Sequence, residues 1–345
     1  MTEKIATFGE NMLRLSPPDH QRFVQARSFD VIFGGGEANV AASLANFGFS
    51  VDFISKLPKN LIGDSCIQFL RQFGINTDNI IRGGNRIGIY FLEMGVSVRP
   101  SLVIYDRANS AIAEADTDDF NWNSIFENVS WFHWTGITPA ISQNLADICL
   151  EAVKVAQDMG VTVSCDLNYR NKLWKYGKEP SDIMPELVEY CDVAIGNEED
   201  AEKVLGIKAP DTDITSGKLD AEKYKYVVEE MVNSYPNLKK VAITLRGSLS
   251  ASHNTWSALL YDGKKIYYGP QYDIIPILDR VGGGDSFMAG LIYGLLTYNE
   301  DLQSALNFAV AASCLKHTII GDFNLVSVEE ILKLMGGDSS GRVSR

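Results

Sequence analysis

Apolar residues along this chain fall into two alternating patterns. Residues 5–8, 51–54, 131–134, 161–165, 193–195 and 241–245 form short runs that are apolar almost throughout, as strands buried on both faces should be. Helix-length segments at 37–47, 65–73, 142–159 and 198–205 lie among them. This strand–helix alternation predicts an α/β chain with a parallel sheet covered by helices on both faces.

Two stretches break the rhythm. Residues 11–32 and 86–107 hold strand-like pieces with no helix between them, notably 87–94 and 102–105. They predict extra antiparallel strands forming a small sheet or flap, with long surface loops as the alternative. Later, 256–260 and 265–268 flank Tyr261-Asp262-Gly263-Lys264, a hairpin signal. Two strong helical patterns follow at 285–296 and 302–316, and the tail 336–345 is too small and polar to pack.

Composition narrows the class. A chain of 345 residues that is 46% hydrophobic can bury a large core, which excludes a disordered or disulfide-scaffold protein. The net charge of -13 argues against nucleic-acid binding, which requires a basic surface, but leaves small anionic ligands open. Five scattered cysteines suggest reduced thiols, and the start of the chain lacks a signal-peptide pattern. No apolar run approaches the length of a membrane span, so a cytoplasmic location is expected.

The candidate chemistry sits in two glycine clusters, each opening a helix: Gly34-Gly35-Gly36 before Glu37-Ala38-Asn39, and Gly282-Gly283-Gly284 before Asp285. Backbone N–H groups at a helix start can take an anion where no side chain intervenes, although a tight turn for close packing is an equal reading. Asp285 beside the second cluster pairs a carboxylate base with an anion pocket, the combination phosphoryl transfer requires. Neither a P-loop nor a complete dinucleotide fingerprint occurs, which counts against a P-loop ATPase and a dehydrogenase. His20, His133, His253 and His317 are scattered and read as ordinary surface or core residues.

Together, Gly34-Gly-Gly-Glu-Ala-Asn-Val-Ala-Ala42 and Asp279-Arg-Val-Gly-Gly-Gly-Asp285 resemble the two signatures of the ribokinase-like (phosphofructokinase-B) carbohydrate kinases, in that family's order and spacing. The resemblance reaches to about residue 335. It implies a doubly wound, mostly parallel sheet: a core of 1–10, 33–85 and 108–335 with β-lid inserts at 11–32 and 86–107. Within the family, Gly88 to Glu93, Arg99 to Arg107, Thr135 to Pro139 and Asp166 to Trp174 are most similar to 2-keto-3-deoxygluconate kinases.

The same resemblance implies ATP as co-substrate with Mg²⁺, leaves room for a monovalent cation, and favours a homodimer or larger homo-oligomer. Asp285 would be the base, and Gly282, Gly283 and Gly284 the anion hole. Gly34, Gly35 and Asn39 would meet sugar hydroxyls, while Tyr90, Tyr105, Arg107 and Arg170 would meet a sugar acid. Arginine suits such a carboxylate because its donors form a rigid fork. Asn197 and Asp200 match the element that places Mg²⁺ and phosphate through water, with Asp200 one methylene shorter than the usual Glu. Thr244, Gly247 and Asn307 would face the nucleotide, although the loop after Gly247 departs from the family pattern. Arg280 replaces a Thr and would add a cation near the phosphates. The alternatives are a fructokinase or other sugar kinase of this fold, and a sensor that binds sugar and nucleotide without turnover.

Overall fold

The computed structural model describes residues 3–208 and 221–337; most of the tail expected at 336–345 lies outside them. The strands in chain order are β1 (Lys4–Phe8), β2 (Met12–Ser16), β3 (Asp30–Gly34), β4 (Ser50–Leu57), β5 (Ile80–Arg82), β6 (Ile89–Glu93), β7 (Leu102–Asp106), β8 (Trp131–Thr135), β9 (Thr162–Asp166), β10 (Val193–Gly196), β11 (Lys240–Ser250), β12 (His253–Tyr261), β13 (Ile266–Tyr268) and β14 (Tyr272–Ile274). The helices are α1 (Gly36–Asn46), α2 (Leu61–Gln72), α3 (Trp122–Ile125), α4 (Gln143–Asp158), α5 (Pro180–Val188), α6 (Glu198–Leu205), α7 (Ala221–Ser234), α8 (Gly283–Thr297), α9 (Leu302–Lys316) and α10 (Val328–Met335).

The apolar runs pair as a ten-stranded sheet in the order β13-β12-β11-β10-β9-β8-β1-β4-β5, with β14 also on β12. It is parallel from β5 to β11 and antiparallel beyond. Alternate side chains of each strand feed two cores. One takes Ile5, Val51 and Phe53 with α1, α2, α8, α9 and α10; the other takes Ala6, Phe8 and Ile54 with α3 to α7. That is a doubly wound mixed sheet.

Helix signals are local and readable. Ser142 caps α4 by accepting from the Leu145 N–H, and Leu145, Ile148, Cys149, Ala152, Val153 and Ala156 then form one buried stripe at helical spacing. In α8, a Cβ on Gly294 would stand 2.5 Å from Ala305 Cα, and one on Gly290 2.8 Å from Ala309 Cα. The small residues therefore let α8 and α9 pack nearly backbone to backbone.

A second sheet has the order β3-β2-β6-β7 and takes its strands from the two stretches that broke the sequence rhythm. It is not wholly antiparallel as expected: β2 and β6 run parallel. The strand expected at 241–245 continues to Ser250 and turns directly into β12, so the region after Gly247 is a hairpin rather than an open loop. All five cysteines are free thiols.

Sheet order reverses between β1 and β8, because the chain winds first through β4 and β5 and later through β9 to β11. In open α/β sheets, ligands bind beyond the carboxyl ends of the strands at such a reversal. Both glycine clusters meet here: a Cβ on Gly36 would lie 3.4 Å from Thr135 Cγ2, at the end of β8, and 3.6 Å from Asp285 Oδ1.

Candidate functional site

Asn39, in the first turn and a half of α1, joins the two clusters. Its Oδ1 accepts from the Gly35 N–H at 3.3 Å, and its Nδ2 donates to Asp285 Oδ2 at 2.6 Å. The amide is thereby oriented, and one oxygen of Asp285 is fixed. Burial pushes the Asp285 carboxyl up from 3.8 to about 6; the Asn39 bond opposes the shift and the charge of Asp322 adds to it. Such a carboxylate is mostly ionised at neutral pH yet basic enough to take a hydroxyl proton in a transition state.

The glycines differ in what they make room for. A Cβ on Gly34 would fall 2.1 Å from Asp322 Oδ2, and one on Gly35 1.9 Å from the Glu10 carbonyl oxygen. Gly282 has φ +81° and would meet the Asp322 carbonyl oxygen at 2.0 Å, while Gly283 would meet His317 Cε1 at 2.7 Å. These four serve close packing. Of the six glycines in the two clusters, Gly284 is the one that faces open space. Gly284→Ala should therefore fold normally, with melting temperature within about 2 °C of wild type, because Ala in place of Gly restricts the unfolded chain. If the space receives a phosphoryl group, kcat should fall at least about tenfold, the scale of a disturbed oxyanion site. Thermal unfolding with steady-state kinetics checks both, and unchanged kcat would place the phosphoryl group elsewhere.

Glu37, adjacent to the cluster, is buried and its Oε1 accepts from the Thr135 N–H, Thr135 Oγ1 and Thr138 Oγ1 at 3.1, 2.8 and 2.6 Å. Burial raises its pKa to about 7 against these bonds. It ties α1 to the end of β8.

A cavity of about 190 Å³ opens beside this point, lined by Tyr105, Arg107, Ile137, Arg170, Asn171, Lys172 and Leu173. It brings together three of the four residues expected to meet a sugar acid and adds Lys172. Arg107 is buried; its Nε donates to Glu10 Oε2 at 2.8 Å, its Nη2 also pairs with that oxygen, and Ser110 Oγ donates to Glu10 Oε1 at 2.7 Å. Glu10 thus holds the guanidinium in place across one edge. Arg170 is exposed, with Nη1 donating to the Tyr169 carbonyl at 2.8 Å, and its charge pulls down the carboxyl pKa of both Asp285 and Asp166. Tyr90, on β6 of the small sheet, is buried; its hydroxyl donates to Asp322 Oδ2 at 2.5 Å, and its ring lies 6.1 Å from that of Tyr105.

Asn197 and Asp200 form a reciprocal cap at the start of α6. The Asp200 N–H donates to Asn197 Oδ1 and the Asn197 N–H to Asp200 Oδ2, both at 2.8 Å, and the Tyr169 N–H donates to Asp200 Oδ1 at 2.8 Å. The carboxylate therefore also fixes the loop carrying Arg170. Next to it, burial pushes Asp166 well above the usual carboxylate range, with the charges of Asp200 and Asp285 adding to the shift. Among the described residues no group of three or more His, Cys, Asp or Glu could hold a metal directly.

Thr244 and Gly247 lie on β11, where a Cβ on Gly247 would meet Thr255 Oγ1 at 2.3 Å, and Asn307 on α9 accepts from Gln303 Nε2 at 2.8 Å. Arg280 turns to the hairpin rather than standing free: its Nη2 donates to the Ala251 carbonyl at 2.7 Å. His317 is buried against Gly283, with its Nδ1 2.7 Å from the Ser313 carbonyl.

Glu10, Arg14, Glu37, Asp166, Lys172 and Asp322 were given no role of their own from the sequence. The available signal was a charge inside an otherwise apolar run, as in Met12-Leu-Arg14-Leu or Ser164-Cys-Asp166.

Comparison with known proteins agrees with this geometry. The profile of the pfkB family carbohydrate kinases matches residues 2–324. A 2-dehydro-3-deoxygalactonokinase of Haloferax volcanii is 32% identical over 341 residues, covering 99% of each chain. The crystal structure of 2-dehydro-3-deoxygluconokinase from Thermotoga maritima is 52% identical, with a TM-score of 0.91 over 97% of this chain and 100% of its own. A 2-dehydro-3-deoxygluconokinase of Bacillus subtilis is 27% identical over 306 residues, 86% of this chain and 85% of its own. With the family profile running through both glycine clusters and the sheet between them, this chain belongs to the pfkB family of carbohydrate kinases.

Proposed function

We propose that this kinase transfers the γ-phosphoryl group of ATP to the 6-hydroxyl of 2-dehydro-3-deoxy-D-gluconate, giving 2-dehydro-3-deoxy-6-phosphogluconate and ADP. The observation that carries the reading is the cavity in which Arg107, Arg170 and Lys172 converge, beside the carboxylate that Asn39 orients. Three cations offer a six-carbon acid a place for its carboxylate, while Asp285 meets the far end of the chain. A fructokinase has no comparable use for them. The relatives named for 2-dehydro-3-deoxygluconate and 2-dehydro-3-deoxygalactonate support an acid of this class.

In the proposed reaction Asp285 accepts the 6-hydroxyl proton as the oxygen attacks the γ-phosphorus. The N–H groups at the start of α8, around Gly282 to Gly284, stabilise the charge that develops on the phosphoryl oxygens. Arg107 and Arg170 hold the substrate carboxylate, and Thr244, Gly247 and Asn307 flank the nucleotide. Asp166 and Asp200 fit an ion held through water, since Mg²⁺ keeps several waters and is bound by one or two carboxylates plus phosphates. When bound, Mg²⁺ would neutralise phosphate charge. Residues 11–32 and 86–107 act as the lid over a core formed by the described residues of 1–10, 33–85 and 108–335.

Exposed Val31, Leu102 and Ile104 on the outer strands of the small sheet support a homo-oligomer, and a single species of monomer mass in sedimentation would oppose it. Free thiols and ATP use favour the cytoplasm. The product identifies the reaction: phosphorus–proton correlation NMR after incubation with ATP should place the new phosphate on C6. Phosphate on another carbon, or ATP loss without a sugar phosphate, would overturn the assignment.

A further inference from the structure

Arg14 lies in the middle of β2, facing Tyr90 of β6 across the small sheet, and its side chain is fully buried. Its guanidinium divides between two carboxylates: Nη2 is 2.7 Å from Asp279 Oδ2, and Nη1 is 2.7 Å from Asp322 Oδ1. The remaining nitrogen, Nε, donates to Ser16 Oγ at 2.9 Å. Burial pulls the guanidinium pKa down, but the two carboxylates outweigh it and the net shift is upward, so the charge is held.

Each carboxylate leads to a different wall of the site. Asp279 opens the glycine motif, and its oxygens accept the N–H groups of Val281 at 3.0 Å and Gly321 at 3.1 Å. Asp322 lies between the clusters: its carboxylate touches Gly34 and its carbonyl touches Gly282, the contacts that exclude a Cβ at both glycines. Its second oxygen takes the Tyr90 hydroxyl. One fork from the small sheet therefore ends on the two residues that fix the sugar-side glycine and the phosphoryl-side glycine relative to each other.

Stability alone does not account for this. A buried ion pair is commonly no better than well-packed apolar residues, whereas a planar guanidinium bridging two carboxylates sets their separation in a way that lysine cannot. We propose that Arg14 and Asp322 are positioning residues for phosphoryl transfer, holding the Gly34 cradle and the Gly282–Gly284 loop at the spacing the reaction needs. The inference rests on the kinase reading of this site. In enzymes of this kind a misplacement of about 1 Å costs up to about 10²-fold.

The test compares Arg14→Lys, Asp322→Asn, their double variant and Tyr90→Phe with wild type, measuring kcat, KM for 2-dehydro-3-deoxygluconate and for ATP, and melting temperature. Arg14→Lys and Asp322→Asn should each lower kcat about 10- to 100-fold with both KM values changed less than about threefold. The double variant should lose little more than the worse single, because both act through one linkage. Tyr90→Phe keeps both ion pairs; it should fold and lose a few-fold in kcat at unchanged KM, which keeps the test decisive if the charged variants unfold. Wild-type kcat in folded variants, or losses that multiply in the double variant, would overturn the inference alone. A wild type inactive on every sugar acid and every neutral sugar tried would remove the kinase reading and this inference with it.

Discussion

Asp285→Asn is expected to lower kcat by about 10² to 10⁴ while leaving sugar affinity nearly intact, the signature of lost general-base catalysis. Asn retains the shape and can still accept the Asn39 Nδ2 hydrogen bond seen at 2.6 Å, so the site should not collapse. The same substitution is expected to raise the melting temperature at pH 8. The sign follows from the pKa: burial lifts the carboxyl from 3.8 to about 6, so the folded chain holds the proton more tightly than the unfolded one. This contribution to stability is complete below about pH 4 and is lost as pH rises through 6, leaving an unfavourable buried charge that the neutral amide removes. In the wild type, the acid limb of kcat/KM should bend near pH 6. Rate profiles and thermal unfolding of both proteins decide the matter, and near wild-type turnover in Asp285→Asn would refute the assignment.

Arg170→Ala is expected to raise KM for the sugar acid about 10- to 100-fold, since a hydrogen bond to a charged group contributes roughly 1.5–3 kcal/mol. Arg170 is exposed and, among the described residues, its side chain donates to the neighbouring Tyr169 carbonyl alone, so melting temperature should hardly move. Arg107→Ala should raise KM similarly but also destabilise the fold, because it strands Glu10, only 3% exposed, without its counter-charge. A neutral analogue of the substrate should respond weakly to either change. Titrating KM for the acid and its neutral analogue on both variants separates binding from folding; unchanged KM for the acid in both would remove the carboxylate assignment and favour a neutral sugar.

Local physics made much of the fold legible. Apolar runs at 5–8, 51–54, 131–134 and 193–195 became the parallel strands β1, β4, β8 and β10, because strands buried on both faces must be apolar throughout. The helix α5 was not legible, since its two prolines read as breakers. Pro180 stands at the first helical position, where its missing N–H has no intrahelical partner to lose, while Pro185 lies inside the helix. Strand β2 inverts the usual pattern: Met12, Arg14 and Ser16 face inward while Leu13 and Leu15 are half-buried, so alternation alone would turn the wrong face to the core.

The site divides along the same line. Residues adjacent in sequence, such as Gly284 with Asp285 or Asn197 with Asp200, could be read as units because a helix start fixes their geometry locally. The partners of Arg14 at positions 279 and 322, or of Arg107 at position 10, could not, since each depends on which distant strands the topology brings together. Tyr90 combines both kinds of information. Its place in the small sheet was expected, and its bond to Asp322, more than two hundred positions away, was not.

A coupled assay of ADP release across 2-dehydro-3-deoxygluconate, 2-dehydro-3-deoxygalactonate, fructose, ribose and a neutral deoxy analogue tests the central claim most directly. The arrangement of Arg107, Arg170 and Lys172 beside Asp285 calls for kcat/KM at least about 10²-fold higher for a sugar acid than for any neutral sugar, the discrimination expected when a site built for a charged group is left unpaired. Equal or higher kcat/KM for fructose or ribose would contradict it.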